Sequence, residues 1–295
     1  MKKKYFLVSD IHSFYEPMMK ALKDAGFDET NKRHILCVLG DVFDRGSETW
    51  KVYNFLKGLP KGRLILIRGN HEDLYEELLE KDFPQSHDFH NGTVKTFCQI
   101  ADLGITDADI RSGFIPHNGT FWGYDEILPE TQKEWDVVLE AVKKSEITKW
   151  IKKKSLWKDY CEIGKYILVH SFIPLNLKKD IPPEVRWFIK NDASSLEYDP
   201  NWREAKDWRE ARWGNPIALY SEGLLKEENR NGKVLICGHW HSFGFREVLD
   251  GVRYKDKSEI DFSIYYSKDI VAIDACTALS GICNVMAFDS AEGDM

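Results

Sequence analysis

The sequence predicts an α/β fold, in which central β-sheets are flanked by helices. Two observations carry this reading: short apolar runs recur along the chain and stop at glycine or polar residues, and segments of helical spacing lie between them. A third is the short crossover from residues 35–39 through a helical stretch to residues 64–67. Such a β–α–β unit implies parallel neighbouring strands.

Taken in order, Tyr5–Val8 is the first expected strand, and it ends in Asp10-Ile11-His12. Residues two apart on an extended chain project to the same side, so Asp10 and His12 can reach one ion together. Glu16 to Ala25 has helical spacing through Met18, Met19 and Leu22, with Gly26 as its stop. Ile35–Leu39 is the second strand; it halts at Gly40 and delivers Asp41, Asp44 and Arg45 before Gly46. Crowded carboxylates are costly to bury unless a cation or hydrogen bonds satisfy them, which makes Asp41 a candidate metal ligand. Ser47 is the expected cap of the next helix, which ends at Gly58-Leu59-Pro60. Leu64–Ile67 is the third strand and leads into Arg68-Gly69-Asn70-His71-Glu72-Asp73, with a helix from Leu74 to Leu79.

Residues 81–165 read as an inserted helical lobe. Helices are expected over Asn91–Ile100 and over Thr131–Lys154, the latter burying Trp135, Val138, Leu139, Val142, Ile147, Trp150 and Ile151. Lys152, Lys153 and Lys154 are a solvated helix end, and His87, His90 and His117 are surface histidines in polar segments. Strands resume at Tyr166–Val169, which ends in His170. An irregular insertion over about 172–230 follows, rich in Trp and Arg, most of them structural pairs. Val234–Cys237 then ends in Gly238-His239-Trp240-His241, and Ile270–Ile273 and Val285–Phe288 close the chain as strands. Asp274 and Asp289 also end strands, so strand-end carboxylates are not all expected to be ligands.

At 295 residues with 43% hydrophobic and 30% charged residues, the chain has the composition of a globular protein. A net charge of −7 argues against non-specific binding to nucleic acid or anionic membrane, since no basic excess exists to release counterions. The six cysteines form no CxxC pair and read as small buried hydrophobes in a reducing compartment. The lysine-rich start is followed by an apolar run too short for a signal peptide, and no stretch approaches membrane-spanning length. A cytoplasmic location is expected.

Five strands thus end in potential ligands: Asp10 and His12, Asp41, Asn70, His170, and His239 with His241. Open α/β sheets bind ligands beyond the carboxyl ends of their strands. Mixed carboxylate, amide and imidazole donors suit Mn²⁺, Fe²⁺ or Zn²⁺ better than Ca²⁺ or Mg²⁺. Seven donors exceed the needs of one such ion, and two ions sharing Asp41 use them all. Each motif alone has a plain explanation: Asn70 as a helix cap, His170 as a core histidine, Asp44-Arg45 as a surface ion pair worth under about 1 kcal/mol. The joint pattern favours chemistry.

That pattern, Asp10-x-His12, Gly40-Asp41-x-x-Asp44-Arg45-Gly46, Gly69-Asn70-His71-Glu72, His170 and Gly238-His239-x-His241, resembles the calcineurin-like metallophosphoesterase superfamily. The Asp-Arg-Gly and Asn-His-Glu forms are most similar to its branch of phosphoprotein phosphatases and symmetrical dinucleoside tetraphosphatases. The resemblance implies a single domain over 1–295 with a two-sheet sandwich and a site at the strand ends. It implies two divalent metals, Mn²⁺ first and Fe or Zn as alternatives, that activate water against a phosphoprotein or nucleotide. Asp10, His12 and Asp41 would hold one metal, and Asp41, Asn70, His170 and His239 the other. His71 would be the general acid or an electrostatic stabiliser near the leaving group, oriented by Asp44, and Arg45 would grip phosphate. His241 departs from the phosphoprotein-phosphatase pattern and would complete the first site. A second phosphate-binding arginine is expected between the last two motifs, at Arg212 or Arg209. A phosphodiesterase or nuclease of the same superfamily is the alternative, and a silent metal-binding scaffold a more remote one.

Overall fold

Two apolar faces on one strand need two partners, and the fold supplies both. The computed structural model describes residues 2–115, 126–180 and 192–290. Ten strands make two five-stranded sheets: β1 (Lys4–Val8), β2 (His34–Leu39), β3 (Leu64–Ile67), β4 (Trp157–Lys158), β5 (Tyr160–Ile163), β6 (Tyr166–Val169), β7 (Val234–Cys237), β8 (Tyr265–Tyr266), β9 (Ile270–Ala272) and β10 (Met286–Asp289). The first sheet runs β10-β1-β2-β3-β4, parallel from β1 to β4 with β10 antiparallel at its edge. The second runs β8-β9-β7-β6-β5, with β9, β7 and β6 parallel and antiparallel strands at both edges.

Alternation along the strands sorts the core into layers. Leu7, Cys37, Leu39 and Ile67 face Leu168, Ile236 and Val271 between the sheets, which makes the expected sandwich. Phe6, Val8, Leu36 and Val38 point the other way, against helices α1 (Tyr15–Asp24) and α2 (Thr49–Gly58) through Met18, Leu22, Val52 and Leu56. On the second sheet's outer side, Ile167, Val169, Leu235 and Cys237 pack on Trp202, Trp208, Ile217 and Phe245.

Several local expectations change. Helix α3 spans Asn70–Leu79, so it begins on the Asn-His-Glu motif itself rather than at Leu74. Ser47 does not cap α2, which is preceded by Glu48 and has no side-chain cap. Gly92, at φ 85°, divides the expected helix near 91–100 into α4 (Ser86–Asn91) and α5 (Thr93–Ala101). Helix α6 (Asp107–Ser112) follows. The long helix over 131–154 is two, α7 (Pro129–Lys144) and α8 (Glu146–Ile151), because the Ser145 hydroxyl accepts the Thr148 amide and starts a new helix. The buried face is nonetheless as read: Trp135, Val138, Val142, Ile147 and Ile151 join the core of the first sheet. Strands resume at Trp157, since β4 and β5 pair with the two sheets before β6 begins. His87 and His90 are exposed, whereas His117, Arg186 and Trp187 lie outside the described residues. Arg203 stacks over buried Trp202 at 4.3 Å, a structural pair as expected. All six cysteines are free. No helix among the described residues is long and apolar enough to cross a membrane.

Candidate metal centre

The loops that leave β1, β2 and β7 have tightly wound backbones. Asp10, His12, Ser13, Asp41, Asp44, Arg45 and His239 all have φ between 48° and 77°. Each such non-glycine residue costs about 1–3 kcal/mol and persists only where its surroundings hold it. The holding is visible. Amides of Asp10, His12 and Ser13 donate to the carbonyls of Gly40, Asp41 and Val42, at 2.9–3.3 Å. Buried Glu72, on the first turn of α3, accepts from Asp41 N (3.1 Å), Val42 N (3.0 Å) and Gly69 N (2.8 Å). A methyl group at Gly69 would lie 2.2 Å from Asp41 Oδ1, and one at Gly238 2.2 Å from Asp10 Oδ2. Close backbone approach to these carboxylates therefore requires glycine at both positions.

The loops bring the expected residues together. Two donor groups form, buried His12 with Asp41 and His71, and Asp41 with buried His170 and partly buried His239; within each, the candidate ligand atoms lie within 4.8 Å of one another. Asp41 belongs to both. Asp10 is buried beside them, its Oδ2 accepting the His239 amide at 2.9 Å. Two histidine rings are fixed by backbone carbonyls, His12 Nδ1 by Phe43 (2.9 Å) and His170 Nδ1 by Leu39 (2.7 Å), and the Trp213 carbonyl favours a proton on His239. Such bonds set the tautomer and leave the other nitrogen's lone pair for a metal.

The electrostatics ask for a cation. Burial, then the Asp10 and Glu72 charges, push the Asp41 carboxyl well above the usual range. Burial lowers His12 and His239 well below the ordinary imidazole value, and His170 below it, so these rings are neutral. With its Nδ1 proton on Leu39, His170 turns a lone pair towards Asn70 Oδ1 at 2.8 Å and Asp41 Oδ1 at 3.4 Å. Three acceptors facing one another need positive charge between them. The donor set therefore fits divalent metal.

His71 stands apart in its bonding. Its Nδ1 is 2.7 Å from Asp44 Oδ2, and its Nε2 lies 3.3 Å from Arg45 Nη2 and 3.8 Å from Asp41 Oδ2. His241 is half-exposed, stacked on Phe243 with centroids 5.4 Å apart, and its Nε2 is 3.8 Å from Asp274 Oδ2. Asp274 is a residue that sequence reasoning set aside. It is buried, its Oδ1 accepts the Cys276 amide at 2.7 Å, and burial followed by the Asp10 charge raises its carboxyl. Asp289 ends an antiparallel edge strand and is exposed. Strand direction was the missing signal, because β9 is parallel to β7 and β10 is not parallel to β1. Thr93, Thr96 and Glu72 were also missed; Glu72 stood in the Asn-His-Glu motif, whereas the threonines gave no local sign.

Neither candidate second arginine is free. Arg212 donates to Asp73 (2.8 Å) and Asp159 (2.9 Å), and Arg209 pairs with Glu77 at 2.5 Å. Both are tied to α3 carboxylates.

A segment of 123 residues is 32% identical to serine/threonine-protein phosphatase 7 of Arabidopsis thaliana, covering 39% of this chain and 29% of that protein. A segment of 67 residues is 36% identical to the symmetrical bis(5'-nucleosyl)-tetraphosphatase of Buchnera aphidicola, covering 23% of each. These alignments span less than a third of either relative. Among solved structures, a cold-active protein-tyrosine phosphatase of a Shewanella species is 14% identical, with a TM-score of 0.46 over 97% of this chain and 75% of that one. The profile of the calcineurin-like phosphoesterases matches residues 3–243, and the chain belongs to that family.

Proposed function

We propose that this chain is a metal-dependent phosphoester hydrolase acting on phosphoproteins or (di)nucleotide polyphosphates. The observation that carries the proposal is Asp41, one buried carboxylate shared by two histidine-containing donor groups. Asp10, His12 and Asp41, completed by His241, would hold one ion; Asp41, Asn70, His170 and His239 would hold the other. Mn²⁺ is the proposed metal, with Fe or Zn as alternatives. Bound there, a pair of divalent ions supplies Lewis acidity, lowering the pKa of water and offsetting charge on phosphoryl oxygens.

The chain's own groups complete the reaction. Arg45 offers its guanidinium to the phosphate oxygens, where charge accumulates as the phosphoryl group transfers. Water forms the new bond to phosphorus, giving up a proton to solvent from which His71 is later reprotonated, as the ester P–O bond breaks and its bonding pair leaves on the substrate oxygen. His71 Nε2 gives that oxygen a proton, while Asp44 holds Nδ1 at 2.7 Å and fixes the ring.

We also read residues 1–295 as one domain, with a helical insertion at about 81–165 and an irregular one at about 172–230. The shared core of β1, β2 and helices α5 to α8 supports this. A cytoplasmic setting is proposed on the free, mostly buried cysteines. Assay of the metal-reconstituted protein on p-nitrophenyl phosphate, bis-p-nitrophenyl phosphate, dinucleoside polyphosphates and phosphopeptides tests the function. Turnover of a monoester, a dinucleoside polyphosphate or a phosphopeptide supports it. Turnover of the diester alone makes the protein a phosphodiesterase, and inactivity with metal bound makes it a scaffold.

A further inference from the structure

We propose that helix α5 is the positioning arm of the Asp44–His71 pair, and that Thr93 is the residue through which it acts. The proposal rests on the reading of His71 as proton donor. The Thr93 hydroxyl donates to Asp44 Oδ2 at 2.9 Å, the same oxygen that His71 Nδ1 approaches at 2.7 Å. One turn further on, Thr96 Oγ1 accepts the Asp44 amide at 3.0 Å. Thr93, Thr96 and Asp44 are all buried. Successive groups of the same segment continue the grip: Lys95 Nζ donates to Arg45 O and Gln99 Nε2 to Gly46 O, both at 3.0 Å. Gly92, ahead of the helix, presses on Arg45 so closely that a methyl group would lie 2.4 Å from its nitrogen. One helix thus touches residues 44, 45 and 46 in turn.

The physical need is specific. Asp44 sits at φ 77°, a conformation that its neighbours must hold. Its Oδ1 is buried without a hydrogen-bond partner among the described residues, so the bonding seen falls on Oδ2. A carboxylate with one bonded and one bare oxygen rotates to exchange them unless a second donor pins it. Thr93 is that donor. Without it, the His71 ring follows the carboxylate, and Nε2 loses its fixed direction towards the leaving oxygen. A 1 Å misplacement of a reacting group is enough to lower a rate substantially.

Leaving-group chemistry separates this role from simple packing. A p-nitrophenolate departs as a stable anion, whereas the alkoxide of a phosphoserine peptide needs a proton as the P–O bond breaks. Thr93→Val, of the same shape, should lower kcat on the phosphoserine peptide about 10–100-fold and on p-nitrophenyl phosphate less than about threefold. Thr93→Ser, which keeps the hydroxyl, should restore both. In metal-free protein, the His71 Nδ1 proton should give a downfield NMR resonance that is lost in Thr93→Val and returns in Thr93→Ser. Equal loss on both esters, no loss on either, or an unchanged resonance overturns the proposal. Thr93→Ala repeats the test if valine perturbs folding. His71→Ala is the control: a split there without one in Thr93→Val sinks the positioning role alone, and no split there sinks the acid reading and this proposal with it.

Discussion

The two sheets build unequal halves of the site. On the first sheet, the loops after β1, β2 and β3 carry their ligands and their supports close together. Asp41 and Asp44 share one turn, and Glu72, two residues past Asn70, ties three backbone amides of neighbouring loops. On the second sheet, β6 and β7 offer histidines whose supports come from far along the chain. The Trp213 carbonyl favours a proton on the His239 ring, and Asp274 stands beside His241. The first half gathers its ligands from successive loops, with α5 bracing Asp44; the second takes its ligands from separate strands. Damage to the first should therefore remove chemistry, and damage to the second should loosen one ion at a time.

Asp41→Asn is the sharpest way to break this contrast. Asp41 belongs to both donor groups, so the variant should lose both ions by elemental analysis and all measurable turnover. Near-normal metal content would show that the halves do not meet at Asp41. His71→Ala comes next, with metal retained and kcat lower by about 10²–10⁴. Loss of metal in that variant would move His71 from proton donor into the ligand set that its 3.8 Å approach to Asp41 also permits. His241→Ala should be milder. The ring is half-exposed and sits 3.8 Å from Asp274, so affinity for one ion should fall about 10–100-fold while the other stays. Equal loss of both ions by titration would show the second half to be as tightly coupled as the first.

This division also explains what the sequence could disclose. Asp10, His12, Asp41, Asn70, His71, His170 and His239 were legible because each follows an apolar run, and parallel strands deliver their ends to one edge. The strand bounds of β3, β6 and β7 were legible for the same reason, since doubly buried strands are apolar throughout. Thr93 and Thr96 were not, because a hydroxyl on a helix shows its partner only when the helix is docked. The place of Asp274 beside His241 was not legible, because it depends on strand direction, and one-residue patterns do not carry direction. The break at Ser145 was readable in principle: a serine within a helical pattern, three residues before Thr148, is a cap signal that the long apolar periodicity masked.

Arg212 gives the smallest effect and the finest test of the contrast. A phosphate-gripping arginine needs free donors aimed at the site. Arg212 instead spends Nε on Asp73 Oδ2 and Nη1 on Asp159 Oδ1, while Arg68 Nε holds the other oxygen of Asp73 at 2.8 Å. It joins the segment before Trp213 to the first turn of α3. Arg212→Ala should accordingly lower stability by about 1–3 kcal/mol, the usual loss for charge-assisted hydrogen bonds, measured by denaturant unfolding. It should leave KM for a phosphomonoester within roughly threefold, because a residue outside the substrate contacts contributes little uniform binding. Arg45→Ala, by contrast, should raise KM clearly. If Arg212→Ala raises KM as much as Arg45→Ala does, the guanidinium leaves Asp73 when substrate binds, and the second half of the site touches phosphate directly after all.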